Sequence, residues 1–250
     1  METIVIFFAA ALAGAINSVA GGGTLVSFPA LIWIGVPSVM ANATNTVAIW
    51  PGSLGGAWGY RRELRGFDRR VFLALILPSV IGGIGGAVLL ELTPTEVFDR
   101  LVPVLIFFAT IIFMLQERFQ KMLNWSATHE GQRSLTGAML FQLAVALYGG
   151  YFGAGIGILM LAALAIMGFS DIHQMNGLKN ILAVIINGVA AVYFIYSGLI
   201  SWPHAGVMMV GAIIGGIGGA GIARKLGRTA VRRIVVIIGF VMAFSLMLRL

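Results

Sequence analysis

Cysteine is absent from this 250-residue chain, which excludes a disulfide framework, thiol chemistry and cysteine metal ligands. Charge is scarce too: 10% of the residues are charged, where a soluble domain carries roughly 25%. The three histidines, His129, His173 and His204, are too scattered for an obvious metal cluster, and there is no H-E-x-x-H. A phosphate-binding G-x-x-x-x-G-K-S/T is missing as well, so ATP coupling within this chain is not expected. The string nearest to a serine-nucleophile elbow, GFSD at Gly168–Asp171, falls in a predicted loop. These gaps argue against an enzyme and against a bound cofactor or metal. The net charge of +7 does not suggest nucleic acid, because the cations concentrate in short loops beside apolar runs, where they set membrane orientation.

What fills the chain is apolar surface. Hydrophobic residues make up 59% of it and the mean hydropathy is +0.99, the profile of an all-α integral membrane protein facing a lipid bilayer. The N-terminal apolar run lacks a basic flank and a small-residue cleavage site, so it reads as a retained segment. The six residues IGGIGG occur at Ile81–Gly86 and again at Ile214–Gly219, 133 residues apart, each inside a long apolar run. At the same offset Pro29-Ala30-Leu31 faces Ala162-Ala163-Leu164, Gly35 faces Gly168 and Arg100 faces Arg233. A duplicated apolar unit of this size is a common plan for secondary transporters, with the substrate where the halves meet. The expected units are residues 1–116 and 135–250, joined by a cytoplasmic connection at 117–134. IGGIGG itself reads as close helix packing, since small residues let membrane helices approach.

Each unit divides into two short apolar pieces and three long ones: 3–20, 24–35, 43–60, 71–92 and 97–116, then 135–152, 156–168, 176–197, 204–224 and 229–249. A crossing needs roughly 20 apolar residues, so 24–35 and 156–168 are too short to span comfortably. Between the short pieces lie the glycine-rich strings Ser18–Thr24 and Gly149–Gly157. Irregular backbone at membrane depth survives only where protein or a water-filled cavity satisfies its polar groups. Each short pair is therefore expected to form a broken helix or re-entrant hairpin, its tip near the midplane. Loop 61–70 carries Arg61, Arg62, Arg65, Arg69 and Arg70, and 224–233 carries Arg224, Lys225, Arg228, Arg232 and Arg233, so both should be cytoplasmic. By contrast 91–100, with Glu91, Glu96 and Asp99, should lie outside, and 197–203 is uncharged. The bias flips between the halves, which predicts two inverted-topology repeats.

Candidate binding residues gather at the tips. Asn17, Ser18, Gly21, Gly22, Gly23, Thr24 and Ser27 form a polar, flexible patch in an apolar stretch. Helix ends exposed there would offer N–H groups and a positive dipole end to an anion. The second tip offers Gly153 and Gly155. NATNT (Asn42–Thr46) and its mate NGLKN (Asn176–Asn180), slipped by one residue, open the first long helix of each half and would set Thr44, Asn45, Asn176, Lys179 and Asn180 beside the tips. Lys179 is one of three lysines, with Lys121 and Lys225, and the one placed against an apolar run. A lysine held at the bilayer centre costs about 2.5–3.5 kcal/mol, so it either pairs with an anion or snorkels to the interface. Asn187 shares a helical face with Asn180 and reads as an interhelical hydrogen-bonding residue. No acidic residue sits mid-helix in a long segment, which disfavours a carboxylate proton relay. Coupling to H+, coupling to Na+ held by unwound carbonyls, uncoupled flux and a homo-oligomer are all compatible with this pattern.

The run AGGGTLVSFPALIWIGVPSVMANATN (Ala20–Asn45) resembles the first signature of the sulfite exporter TauE/SafE family: a glycine cluster, a proline before a short apolar segment, then G-x-P and a polar A-x-x-T-N. FGAGIGILMLAALAIMGFSDIHQMNGLKN (Phe152–Asn180) is similar to its degenerate second copy, with Ala162 in the proline's place and the glycine run interrupted by Ala154 and Ile156. The resemblance covers essentially the whole chain. It implies a multi-pass protein of a bacterial or archaeal inner (plasma) membrane that exports small sulfur-containing anions such as sulfite or organosulfonates. Alternating access between the inverted repeats is the implied mechanism, and an anion channel or a carrier of small carboxylates is the alternative.

Overall fold

The computed structural model describes residues 1–19, 22–59, 69–126, 135–166, 169, 171–226 and 228–248, with side chains at all of these but 18–19, 55–59, 116–126, 165–166, 172–173, 219–226 and 228–229. Among these residues there are ten helices and no strand. A helix satisfies its backbone groups within its own segment, which a bilayer demands. The first half gives α1 (Glu2–Val19), α2 (Thr24–Trp33), α3 (Ser38–Gly59), α4 (Arg69–Leu92) and α5 (Thr95–Ser126). The second gives α6 (Leu135–Tyr151), α7 (Ile156–Ile166), α8 (Ile172–Tyr196), α9 (Trp202–Leu226) and α10 (Arg228–Met247). Arg69 and Trp202 open α4 and α9, and Thr95 and Arg228 open α5 and α10, each pair at the 133-residue offset of the IGGIGG copies. Segments Arg69–Leu92, Thr95–Leu115, Gln174–Tyr196 and Ala230–Met247 are long and apolar enough to cross a membrane. The short helices α2 and α7 have 10 and 11 residues, or about 15 Å of helix, half the thickness of the hydrocarbon core.

Three boundaries differ from expectation. α3 starts at Ser38 rather than 43, with Pro37 at the cap, where its carbonyl accepts the Ala41 N–H at 2.7 Å. α8 starts at Ile172 rather than 176, with Asp171 as its cap: the carbonyl accepts the Met175 N–H at 2.9 Å and Oδ1 accepts the Gln174 N–H at 3.4 Å. NATNT and NGLKN thus begin one turn inside their helices. α5 runs on to Ser126, into the expected connection, whose residues 127–134 lie outside the described ones along with 60–68.

The halves interlock. α1 packs on α9 and α6 on α4, so the first helix of each half lies against the fourth of the other, while α5 meets α10. Lipid is as apolar as leucine, so membrane helices hold together by close contact rather than by a hydrophobic drive. IGGIGG supplies that contact. Gly82 faces Leu143 and Ala146, Gly86 faces Leu147 and Tyr151, Gly215 faces Ala11, and Gly14 faces Ala212 and Gly216. The contact order ascends in both pairings: Gly211 meets Phe7 where Gly215 meets Ala11, so α1 and α9 run parallel, as do α4 and α6. Between α5 and α10 it descends. Thr110 touches Gly239, whereas the earlier Phe107 stacks on the later Phe240 and Phe244, so these helices are antiparallel.

Candidate functional site

At the first tip the chain reverses between α1 and α2 through Gly22, whose φ of +85° belongs to glycine. Asn17 Oδ1 accepts the Gly23 N–H at 2.8 Å and holds the turn against the end of α1. Ser27 donates to Asn45 Oδ1 at 2.5 Å and also reaches the Gly23 carbonyl at 3.2 Å. Both side chains are buried, so α3 is fastened to the first turn of α2. The N–H groups of Leu25, Val26 and Ser27 bond to the Gly22 and Gly23 carbonyls. Amides expected to face a ligand are therefore partly engaged within the tip itself.

The second tip turns through Gly153 and Gly155, both with φ +79°. Tyr148 donates to the Ala154 carbonyl at 2.8 Å, and Asn42 of α3 donates to the Tyr151 carbonyl at 2.8 Å. Asn187 anchors Nδ2 on the Ala183 carbonyl at 2.9 Å, and its Oδ1 lies 3.6 Å from where a Cβ on Gly153 would sit. Lys179 runs its stem across Gly157, with Cδ at 3.3 Å from the Cβ position there, and places Nζ 3.2 Å from Asn176 Oδ1. The lysine is half-buried.

Three sets of contacts bring the tips to one locus. Gly22 abuts the Phe113 ring, and Gly155 lies closest to Ala109; these two residues are one turn apart on α5, on one face. α3 also reaches both tips, through Asn45 and Asn42. Phe28 of α2 and Phe152 of the second tip close the contact edge to face, 5.4 Å between ring centres. Asn17, Gly22, Gly23, Asn45, Gly153, Gly155 and Lys179 thus belong to the tips or touch them, and Asn176 joins them through its contact with Lys179. Thr24 is the half-buried first residue of α2. Thr44 points elsewhere: its Oγ1 accepts the Ser201 N–H at 3.0 Å and fixes the turn between α8 and α9. Nothing among the described contacts brings Asn180 to a tip, and Gly21 and the Ser18 side chain lie outside the described residues. Sequence reasoning missed Ala109 and Phe113, which carry no polar signal, and Tyr148. It also missed Gln142, a lone amide in an apolar run that signals itself, buried against Ser79 at 2.9 Å.

Short helices turning through glycine, interlocked halves and spans long enough for a bilayer define an all-α, membrane-embedded scaffold. Over residues 6–246 the sequence matches the family described as Sulfite exporter TauE/SafE, and the chain belongs to that family. It is 28% identical over 243 residues to "Probable membrane transporter protein" of Haemophilus influenzae, covering 95% of this chain and 91% of the relative. "Probable membrane transporter protein YfcA" of Escherichia coli (strain K12) is 28% identical over 249 residues, 97% of this chain and 88% of the relative. "Probable membrane transporter protein ORF9" of a Sinorhizobium species is 28% identical over 244 residues, 97% and 91% respectively. No solved structure matches the chain.

Proposed function

We propose that this transporter exports small sulfur-containing anions such as sulfite or organosulfonates across the cell membrane by alternating access. The convergence of both glycine tips on one turn of α5, with the Lys179 stem across Gly157, carries the reading. The anion binds between the tips. Lys179 compensates its charge, the positive ends of α2 and α7 add to the potential, and Asn17, Thr24, Asn45 and Asn176 supply hydrogen-bonding groups. Because several tip amides already have partners, most of the selectivity for charge falls on the lysine.

The halves are read as inverted repeats, 1–116 and 135–250. The antiparallel contact of the repeat mates α5 and α10 supports this, and so does charge. α4 runs from Arg69 and Arg70 to Glu91, whereas its mate α9 ends at Arg224 and Lys225. The basic ends face the cytoplasm, and exchange of roles between the halves opens the site to either side.

Thermal unfolding of the purified protein, scanned against sulfite, taurine, sulfoacetate, sulfate and short carboxylates, tests the reading. A ligand at 100 times its dissociation constant adds about 2.7 kcal/mol. Sulfite or a sulfonate should stabilise selectively, and Lys179→Met should lose the effect while keeping the fold. Stabilisation that survives the substitution returns Lys179 to a snorkelling role; no response to any sulfur anion removes the substrate class.

A further inference from the structure

Position by position, Asn42 and Asn45 of the first half correspond to Asn176 and Lys179 of the second. The second-half pair holds a cation on an amide oxygen, Lys179 Nζ at 3.2 Å from Asn176 Oδ1. In the first half the lysine's counterpart is Asn45, whose Oδ1 is turned to Ser27. Asn42 is 1% exposed, and its Oδ1 is buried with no hydrogen-bond partner among the described residues. The amide cannot be reversed to cure this, since Nδ2 donates to the Tyr151 carbonyl and reversal would set two acceptors face to face. One turn earlier on the same helical face, Ser38 Oγ is also buried, at 3% exposed, and without a partner among the described residues.

We propose that Ser38 Oγ and Asn42 Oδ1 are the protein ligands of a Na+ site, placed in the first half where the Lys179 ammonium lies in the second. Two buried acceptors on one face are costly to leave unpaired, and a cation satisfies both at once. Their chemistry selects the ion. Neutral hydroxyl and amide oxygens are hard ligands without charge, suited to a monovalent cation, whereas Ca2+ and Mg2+ draw on carboxylates. No group of three or more His, Asp or Glu that could hold a metal exists among the described residues. The first half would then bind as an exchangeable ion what the second carries as a tethered one. Resting on the transport reading, this makes Na+ the coupling ion; the binding site itself does not depend on which anion is carried.

The test uses the full-length protein in detergent, without any sulfur anion, and follows thermal unfolding in NaCl, KCl, LiCl and choline chloride at one ionic strength. Na+ should raise the melting temperature saturably and choline should not. Ser38→Ala and Asn42→Ala should each raise the half-saturating Na+ concentration at least tenfold, and Ser38→Ala should leave the melting temperature in choline unchanged or higher. Asn45→Lys, which copies the second half, should abolish the Na+ response; should it fail to fold, Ser38→Ala decides. Equal shifts in every salt, the result if water rather than an ion bridges the two oxygens, overturn the proposal. So does a Na+ response untouched in both alanine variants. A Na+ response in a protein that answers to no anion would remove the anion reading and leave the ion site standing.

Discussion

Buried amides behave differently according to what surrounds them. Gln142 donates to Ser79 Oγ, Ser79 donates to the Leu75 carbonyl at 2.7 Å, and Gln142 Oε1 is buried without a partner among the described residues. Gln142→Leu removes the unpaired acceptor and leaves Ser79 its carbonyl, so stability should hold or rise by up to about 1 kcal/mol, while Ser79→Ala strands the glutamine and should cost about 1–3 kcal/mol. Unfolding of the two variants side by side reads this; a Gln142→Leu protein weaker than Ser79→Ala would contradict it. The glycines separate in the same way. Gly35, φ +89°, has nothing within 4 Å of a Cβ position, so Gly35→Ala should show backbone strain alone, about 1–2 kcal/mol. Gly22→Ala adds a contact at 2.8 Å with Phe113 and should be the more destabilising of the pair. It should also weaken the anion response, because it moves a tip.

At the scale of the element, most helices could be read from the chain because each apolar run is bounded by glycine, proline or charge. The ends could not always be. Pro37 and Asp171 start their helices a turn before the polar strings that seemed to open them, since a cap acts locally and leaves no mark on hydropathy. IGGIGG was legible as a packing surface, but not its partners: Ala11 and Leu147 are ordinary members of apolar runs. Trp50 lies mid-helix in α3 and donates to the Val184 carbonyl at 3.0 Å, a contact that hydropathy does not mark. Gly215→Ala and Gly86→Ala should destabilise strongly, because a Cβ at either position meets backbone of the partner helix. Gly218, on the same helix as Gly215, has nothing within 4 Å, and Gly218→Ala should be neutral or stabilising by up to about 1 kcal/mol. Equal effects at Gly215 and Gly218 would mean that α1 and α9 do not pack as described.

For the whole molecule, the repeat predicts two like halves but does not foretell that α1 packs on α9 and α6 on α4. Crossed packing depends on contacts between residues far apart in sequence, 204 positions for Ala11 and Gly215 and 61 for Gly86 and Leu147, and periodicity does not encode these. The absence of cysteine makes orientation directly measurable. Single cysteines at exposed Arg69 and Arg233 should be labelled only from the cytoplasm, and one at exposed Glu96 only from outside; labelling of Glu96→Cys and Arg233→Cys, near the starts of the repeat mates α5 and α10, from one side would undo the inverted arrangement. The candidate site follows the same division. Glycines, Asn45 and Lys179 announced themselves as polar or flexible interruptions, whereas the turn of α5 that joins the tips is apolar and silent in the sequence. The proposed carrier site at the joined tips, opened alternately to each side, should give counterflow. In proteoliposomes, unlabelled sulfite inside should accelerate entry of radiolabelled sulfite and the flux should saturate. Flux that rises linearly with concentration and ignores the internal anion would contradict the account.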